Sequence, residues 1–257
     1  MRYSGLLGKS IKYSISPLIH NEYYEKHNLN LEYRIFDIEK NQIEGFICSL
    51  EKNNIVGLNV TIPYKEYIIT YLDDLDFTAK SIGAVNTIAI KDNKLIGYNT
   101  DYYGFLKTLE DINFDIKGSR ALILGGGGAA KAVLYALHNS GAATLDLVVR
   151  NKETMWEHRD LISNTWSFQK DFQLEEYDIV INCTPIGGAN YIEDNPIRII
   201  SAKKNTLFYD LNYVPERSIF LQRGEELGCR IINGKDMLFN QAYKAIKIWH
   251  ENIEEEL

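Results

Sequence analysis

The chain has 257 residues, 45% of them hydrophobic and 25% charged, enough to bury one large core or two smaller ones in a globular fold. Its formal net charge of −7 argues against a general nucleic-acid binder. No apolar run approaches the ~20 residues that span a bilayer, and the apolar part of the first eight residues is too short for a signal peptide.

In chain order, Tyr3 to Leu7 predicts a short strand. Ser16 and Pro17 then open a helix through about Lys26, with Ser16 as its N-cap and Pro17 at the first helical position. Leu31 to Asp37 predicts a second strand, Gln42 to Glu51 a second helix and Ile55 to Val60 a third strand. Ala89 to Lys91 and Leu95 to Tyr98 flank Asp92-Asn93-Lys94, a hairpin turn. A helix from about Thr100 to Asp111 leads to Gly118, after which the rhythm changes to strand–helix–strand. Arg120 to Leu124 predicts a buried strand, Gly127 to Ser140 a crossover helix and Thr144 to Val149 the next strand. Tyr177 to Asn182, Thr206 to Leu211 and Arg230 to Ile232 are further strands, and Met237 to about Glu254 is a long helix. Such alternation predicts an α/β fold with a parallel sheet covered on both faces. Cys48, Cys183 and Cys229 lack metal-ligand spacing, so no metal site is expected and the thiols are read as free in a cytoplasmic protein.

The run Leu122-Ile-Leu-Gly-Gly-Gly-Gly-Ala-Ala-Lys131 carries the strongest signal. Gly125, Gly127 and Ala130 fit G-x-G-x-x-A, in which the glycines permit a tight turn and close approach to a pyrophosphate, and the small third residue lets helix and strand pack closely. The following helix N-terminus presents unpaired N–H groups to the phosphates. At the end of the next strand an acid would favour NAD and a cation NADP. Here Val149 is followed by Arg150, Asn151 and Lys152, which favours NADP.

Four segments of the first hundred residues gather polar groups near element ends. Ser14 and Ser16 precede a helix and can donate hydroxyls to a carboxylate, although Ser16 alone could be a simple cap. Gly57-Leu-Asn-Val-Thr-Ile-Pro-Tyr-Lys65 runs a buried strand into Thr61 and Lys65, where open α/β sheets bind ligands. A lysine enclosed there can exchange protons, whereas most lone lysines are solvated charges. Asn86 in Gly-Ala-Val-Asn-Thr offers a donor and an acceptor that suit a hydroxyl, or else marks an ordinary turn. Asp101 falls in the first turn of a helix, where it either stabilises the dipole or pairs with Lys65.

Taken together these segments resemble the shikimate dehydrogenase family, in order and over nearly the whole chain. The resemblance rests on Ser14-x-Ser16-Pro17, Asn59-Val-Thr61-x-Pro63-x-Lys65, Asn86, Asn99-Thr100-Asp101-x-x-Gly104, the glycine run with Arg150, Asn182-Cys-Thr184-Pro-x-Gly187, Tyr209-Asp-Leu-Asn-Tyr213-x-Pro215, and Gly234 with Met237-Leu238 and Gln241-Ala242. It implies an NADP-dependent oxidoreductase of aromatic amino-acid biosynthesis that reversibly reduces 3-dehydroshikimate to shikimate. It also implies an N-terminal α/β substrate and catalytic domain over 1–104, a Rossmann-type NADP-binding domain over 105–235, and a C-terminal helix over 236–257 packing back on the substrate domain. Lys65 and Asp101 would be catalytic, with Ser14, Ser16, Thr61, Asn86, Tyr213 and Gln241 on the substrate. Gly125, Gly126, Gly127, Gly128, Ala129, Ala130, Arg150, Asn151, Lys152, Thr184, Gly234 and Met237 would hold the cofactor. Cys183 and Asp236 stand where the family commonly has alanine and glycine. The partners implied are small molecules rather than nucleic acid or membrane, for a monomer or homodimer. The alternatives are a quinate/shikimate dehydrogenase using both NAD and NADP, and a non-catalytic sensor of nucleotide or pathway intermediates with the same fold.

Overall fold

The computed structural model describes residues 1–150, 158–168 and 171–254. The chain runs β1 (Arg2–Gly8), α1 (Ser16–Lys26), β2 (Leu31–Asp37), α2 (Ile43–Ile47), β3 (Ile55–Val60), β4 (Asp74–Leu75), α3 (Phe77–Ile82), β5 (Thr87–Lys91), β6 (Lys94–Tyr98) and α4 (Thr100–Asp111). It continues with β7 (Arg120–Leu124), α5 (Gly128–Asn139), β8 (Thr144–Val149), β9 (Asn164–Ser167), β10 (Asp171–Leu174), β11 (Ile179–Asn182), β12 (Arg198–Ala202), β13 (Leu207–Asp210), α6 (Ile219–Glu226), β14 (Arg230–Asn233) and α7 (Lys235–Glu254). Contacts divide it into two units, one of Met1–Gly104 with Leu238–Leu257 and one of Phe105–Met237.

The first unit is built on a mixed sheet ordered β2-β1-β3-β5-β6-β4. Successive strand residues point to opposite faces, and both faces are buried. Leu7 and Ile88 enter one core with Ile43, Leu58 and Ile68, whereas their neighbours Leu6 and Ala89 enter another with Tyr24, Tyr33, Ile246 and Trp249. Gly57 makes the second core possible, because a Cβ there would lie 2.3 Å from Trp249 Nε1. With no side chain in the way, α7 lays Trp249 on the strand, and the indole N–H donates to Ile88 O at 3.0 Å.

Three local expectations need correction here. Ile15, at φ −89° and ψ 3°, occupies the cap position of α1 without a side-chain cap bond, and the Ser16 N–H is itself served by Ser14 Oγ, so Ser16 is not a capping residue. The Ser16 hydroxyl is instead taken up by its neighbour Ser14, as described below. The hairpin turn is two residues, not three. Asp92 and Asn93 both adopt positive φ (49° and 59°), which matches the twist of the flanking strands, and Lys94 already pairs with Lys91. The second helix is also shorter than expected, ending at Ile47.

The second unit carries a six-stranded sheet ordered β14-β13-β11-β7-β8-β9, with every pair parallel. Numbered within that unit, this is the 3-2-1-4-5-6 order of a doubly wound dinucleotide-binding sheet. Its inner strands are buried on both faces, as the burial of Ala121 to Leu124, Ile179 to Asn182 and Leu207 to Asp210 shows. The order reverses between β7 and β11, so the carboxyl ends of these strands, at Leu124 and Asn182, form the switch point where such sheets bind ligands. A separate parallel pair, β10 with β12, adds Phe172, Leu174 and Ile199 to the core.

Candidate active site

In the first unit, strand β3 delivers its polar residues in a fixed order. Beyond Val60, the Thr61 N–H still donates to Leu7 O at 2.9 Å. A turn follows, closed by Tyr64 N–H on Thr61 O at 2.9 Å. Tyr64 is buried and its hydroxyl donates to Ile38 O at 2.7 Å, which pins the turn. The Lys65 carbonyl accepts from Val85 N–H at 2.7 Å. With its backbone held on both sides, Lys65 directs its ammonium to Asp101, and the two form an ion pair through Nζ and Oδ2. Their side chains are only 14% and 9% exposed, so neither is an ordinary solvated surface charge.

Asp101 stands in the first turn of α4, where the helix dipole favours a negative charge. Its other oxygen, Oδ1, accepts from Asn86 Nδ2 at 2.8 Å. Asn86 is the hub of this unit. Its backbone bridges two strands, the carbonyl accepting from Val60 N–H at 2.8 Å and the N–H donating to Tyr98 O at 3.0 Å. Its Oδ1 accepts from Thr100 N–H at 2.6 Å, which serves one of the otherwise unpaired donors of the helix start. Gln241 Oε1 lies 3.4 Å from Asn86 Nδ2 and accepts from Thr100 Oγ1 at 3.3 Å. Gln241 is itself oriented by donation to Leu238 O at 2.9 Å. Behind Asn86, Asn59 Nδ2 donates to Thr87 Oγ1 at 3.0 Å, and Asn59 Oδ1 accepts from Tyr33 Oη at 2.8 Å. Lys65, Asp101, Asn86 and Gln241 thus form one bonded group. Asn59, Tyr33 and Thr100 support it. Asn59 and Thr100 stand in the motifs quoted above without a role of their own, and Tyr33 carries no sequence signal.

Ser14 and Ser16 bond each other rather than this group. Ser14 Oγ donates to Ser16 Oγ at 3.0 Å and accepts from Ser16 N–H at 3.2 Å. The Ser16 carbonyl accepts from His20 Nδ1 at 2.9 Å, which requires the proton on Nδ1. His20 is fully buried and stacked on Tyr33 at 3.9 Å, and burial pushes its pKa down to about 4. Thr61 contributes the backbone bonds already described. Tyr213 belongs to the second unit, in the half-buried segment after β13.

In the second unit, Gly125 turns the chain out of β7 at φ +112°, a conformation side chains rarely adopt, and a Cβ there would lie 3.1 Å from Thr184 Cγ2. Gly127 is the N-cap of α5, which therefore starts one residue later than expected. No side chain bonds the helix start, and open space surrounds the position a Gly127 Cβ would take. Gly126, Gly128 and Ala129 are half-buried around this bend, and Ala130 is buried beneath it. Arg150 is exposed immediately beyond β8, and Asn151 and Lys152 lie outside the described residues. Thr184 turns its hydroxyl inward, donating to Asn182 Oδ1 at 2.7 Å. Gly234 is needed for backbone packing, since a Cβ there would meet Leu211 O at 2.0 Å. Met237 is buried in the first turn of α7, beside the exposed Asp236.

One buried acid here is not among the residues the sequence singles out. Asp210, at the end of β13, has no solvent exposure, and burial raises its pKa to about 6 against the opposing hydrogen bonds of Ser218, Asn212 and Asn182. Its motif is visible in the sequence, but only the tyrosine at position 213 reads there as a site residue.

Comparison with known proteins agrees with this geometry. Residues 6–88 match the family described as the shikimate dehydrogenase substrate binding domain. A Clostridium botulinum protein named shikimate dehydrogenase (NADP(+)) is 48% identical over 249 residues, covering 97% of this chain and 96% of the relative. The crystal structure of shikimate dehydrogenase 1 from Peptoclostridium difficile superposes with a TM-score of 0.90 at 34% identity, covering 98% of this chain and 93% of that one. The shikimate 5-dehydrogenase of Thermus thermophilus, solved in complex with NADP(H) and shikimate, gives 0.85 at 27% identity, with 97% and 93% covered. The chain belongs to the shikimate dehydrogenase family.

Proposed function

We propose that this chain is an NADP-dependent dehydrogenase that interconverts 3-dehydroshikimate and shikimate in aromatic amino-acid biosynthesis. The observation that carries the reading is the Lys65–Asp101 pair, enclosed and held from behind by Asn86. An ammonium fixed by one carboxylate oxygen keeps two N–H groups for another acceptor. Lys65 then gives a proton to the ring oxygen in reduction and takes it back in oxidation. Asp101 holds Lys65 in place and balances its charge. Asn86 holds Asp101, so that the carboxylate does not turn away when the proton leaves the lysine.

Residues 1–104 with the C-terminal helix form the substrate-holding part. There Ser14 and Ser16 give up their mutual bond to donate to the substrate carboxylate. Thr61, Asn86 and Gln241 bond its hydroxyls. A site lined by such groups rejects analogues without hydroxyls, because its own polar atoms would be left unpaired.

The second unit fits NADP. The bare Gly127 backbone at an uncapped helix start is a cradle for a pyrophosphate, and a side chain there would fill it. A nicotinamide cofactor held by this unit would supply the hydride in reduction and accept it in oxidation. Gly125 to Ala130 would take the pyrophosphate, with Thr184, Gly234 and Met237 around the nicotinamide end. Arg150, with Asn151 and Lys152, would pair the 2′-phosphate. The three cysteines, none of them in a disulfide, suit a reducing, cytoplasmic setting. The test is a spectrophotometric assay of the purified protein with shikimate and either NADP or NAD. Shikimate-dependent reduction, faster with NADP, is expected, and no turnover with either cofactor overturns the reading.

A further inference from the structure

Beside the switch point of the second sheet, three polar side chains converge on Asp210 from three different elements. Asp210 Oδ1 accepts from Asn182 Nδ2 at 3.0 Å, from Asn212 N–H at 3.0 Å and from Asn212 Nδ2 at 2.9 Å. Its Oδ2 accepts from the hydroxyl of Ser218, the residue that caps α6. Each of these donors is neutral, and among the described residues Asp210 forms no ion pair with a cation. A buried carboxylate without a counter-charge is costly, so its position calls for an explanation.

The explanation lies in what the same donors hold next. Asn182 Nδ2 also donates to Ile186 O at 2.9 Å, and Asn182 Oδ1 accepts from Thr184 N–H at 3.1 Å and Thr184 Oγ1 at 2.7 Å. Asn212 Nδ2 also donates to Thr184 O at 2.9 Å. The 182–188 loop is therefore shaped by two asparagines, and both are oriented by the Asp210 carboxylate. The loop in turn lies against the glycine turn, with Thr184 Cγ2 within 3.1 Å of where a Gly125 Cβ would stand. We propose that Asp210 is a positioning residue for the cofactor, which acts by holding the 182–188 loop beside the glycine turn in the shape that dinucleotide binding needs. This rests on the NADP reading of the second unit.

An ionised acceptor makes hydrogen bonds roughly twice as strong as a neutral one. When Asp210 takes up a proton, its bonds to Asn182 and Asn212 weaken and the loop loosens. Burial places that event at about pH 6, and the groups that face the carboxylate are Asn182 from β11, Asn212 from the loop after β13 and Ser218 at the start of α6. Asp210→Asn keeps the shape and mimics the neutral acid.

The experiment measures NADP affinity by calorimetry from pH 5 to pH 8 for the unaltered protein and for Asp210→Asn, with shikimate affinity and thermal stability in parallel. The NADP 2′-phosphate titrates in the same range, but it does so in both proteins, so the ratio of the two dissociation constants isolates Asp210. The ratio is expected to be about fivefold at pH 8 and to fall towards one at pH 5, with shikimate affinity unchanged. A ratio of one throughout, or a ratio independent of pH, or an equal loss of shikimate affinity, overturns the proposal. Should Asp210→Asn not fold, Ser218→Ala carries the test. Removing a donor to the carboxylate raises the pH at which NADP affinity bends, and coincident bends overturn the proposal. Turnover of shikimate is assayed beside these, so that an inactive protein with the expected ratio counts against the dehydrogenase reading and not against Asp210.

Discussion

Asn86 donates to Asp101 Oδ1 at 2.8 Å while the opposite oxygen of the same carboxylate holds Lys65. One neutral amide thus fixes the acid that fixes the ammonium. The arrangement divides labour between a charge that moves protons and a polar scaffold that does not titrate.

Replacing Asn86 with Ala leaves Asp101 Oδ1 and Thr100 N–H without their partner in a buried setting. Loss of a buried hydrogen-bond partner costs roughly 1–3 kcal/mol, so kcat should fall by about tenfold or more with a smaller change in cofactor KM. Steady-state kinetics on both substrates checks this, and an unaltered kcat counts against the scaffold role.

The contact between Gly57 and Trp249 predicts a steric effect on stability. A Cβ 2.3 Å from the indole nitrogen forces Trp249 off the strand. Gly57→Ala should lose about 1–3 kcal/mol in urea unfolding, the usual cost of overpacking. Trp249→Phe loses the bond to Ile88 O and should cost about 1 kcal/mol in hydrogen bonding, beyond its lost area.

His20 links stability to acid. Its folded pKa, pushed down to about 4 by burial, lies below the usual histidine value of 6.5. The unfolded chain therefore binds the extra proton first. The contribution is fully present above about pH 6.5, is lost progressively as pH falls towards 4, and amounts to about 3 kcal/mol at most. Urea melts at pH 7.5 and pH 5 should show this loss, and His20→Gln should show less of it. Equal slopes of stability against pH in the two proteins would contradict the assignment.

Arg150, exposed at the end of β8, predicts cofactor choice. Arg150→Ala should raise the KM for NADP by about tenfold, from the loss of a charge-assisted bond worth roughly 1.5–3 kcal/mol, with the KM for NAD unchanged. A parallel rise for both cofactors would remove Arg150 from the 2′-phosphate site.

Much of the fold was legible because its strongest elements announce themselves locally. The helix Thr100–Asp111 and the strand Arg120–Leu124 stand where their patterns put them, and the four glycines mark the turn between β7 and α5. Helix α3 is not legible in the sequence although Asp76 caps it and Gly83 closes it at φ +70°, because six residues are too few to show a helical period. Helix α6 is capped by Ser218, but its eight residues are likewise short for a helical period. The strands β10 and β12 are short and pair with each other outside the main sheet, which no local pattern reveals. In the site, the pairing of Lys65 with Asp101 followed from motifs, and the ion pair is present. The partners of Asn86 were not legible, since they lie 14, 15 and 155 positions away and are set by tertiary packing alone.

The central claim is that Lys65 moves the proton, and Lys65→Met tests it most directly, since methionine keeps most of the side-chain volume and removes the ammonium. Shikimate oxidation by this variant should show kcat reduced by about 10²–10⁴-fold, with shikimate dissociation constants within a few-fold of those of the unaltered protein. Near-normal kcat in a folded Lys65→Met protein would contradict the account.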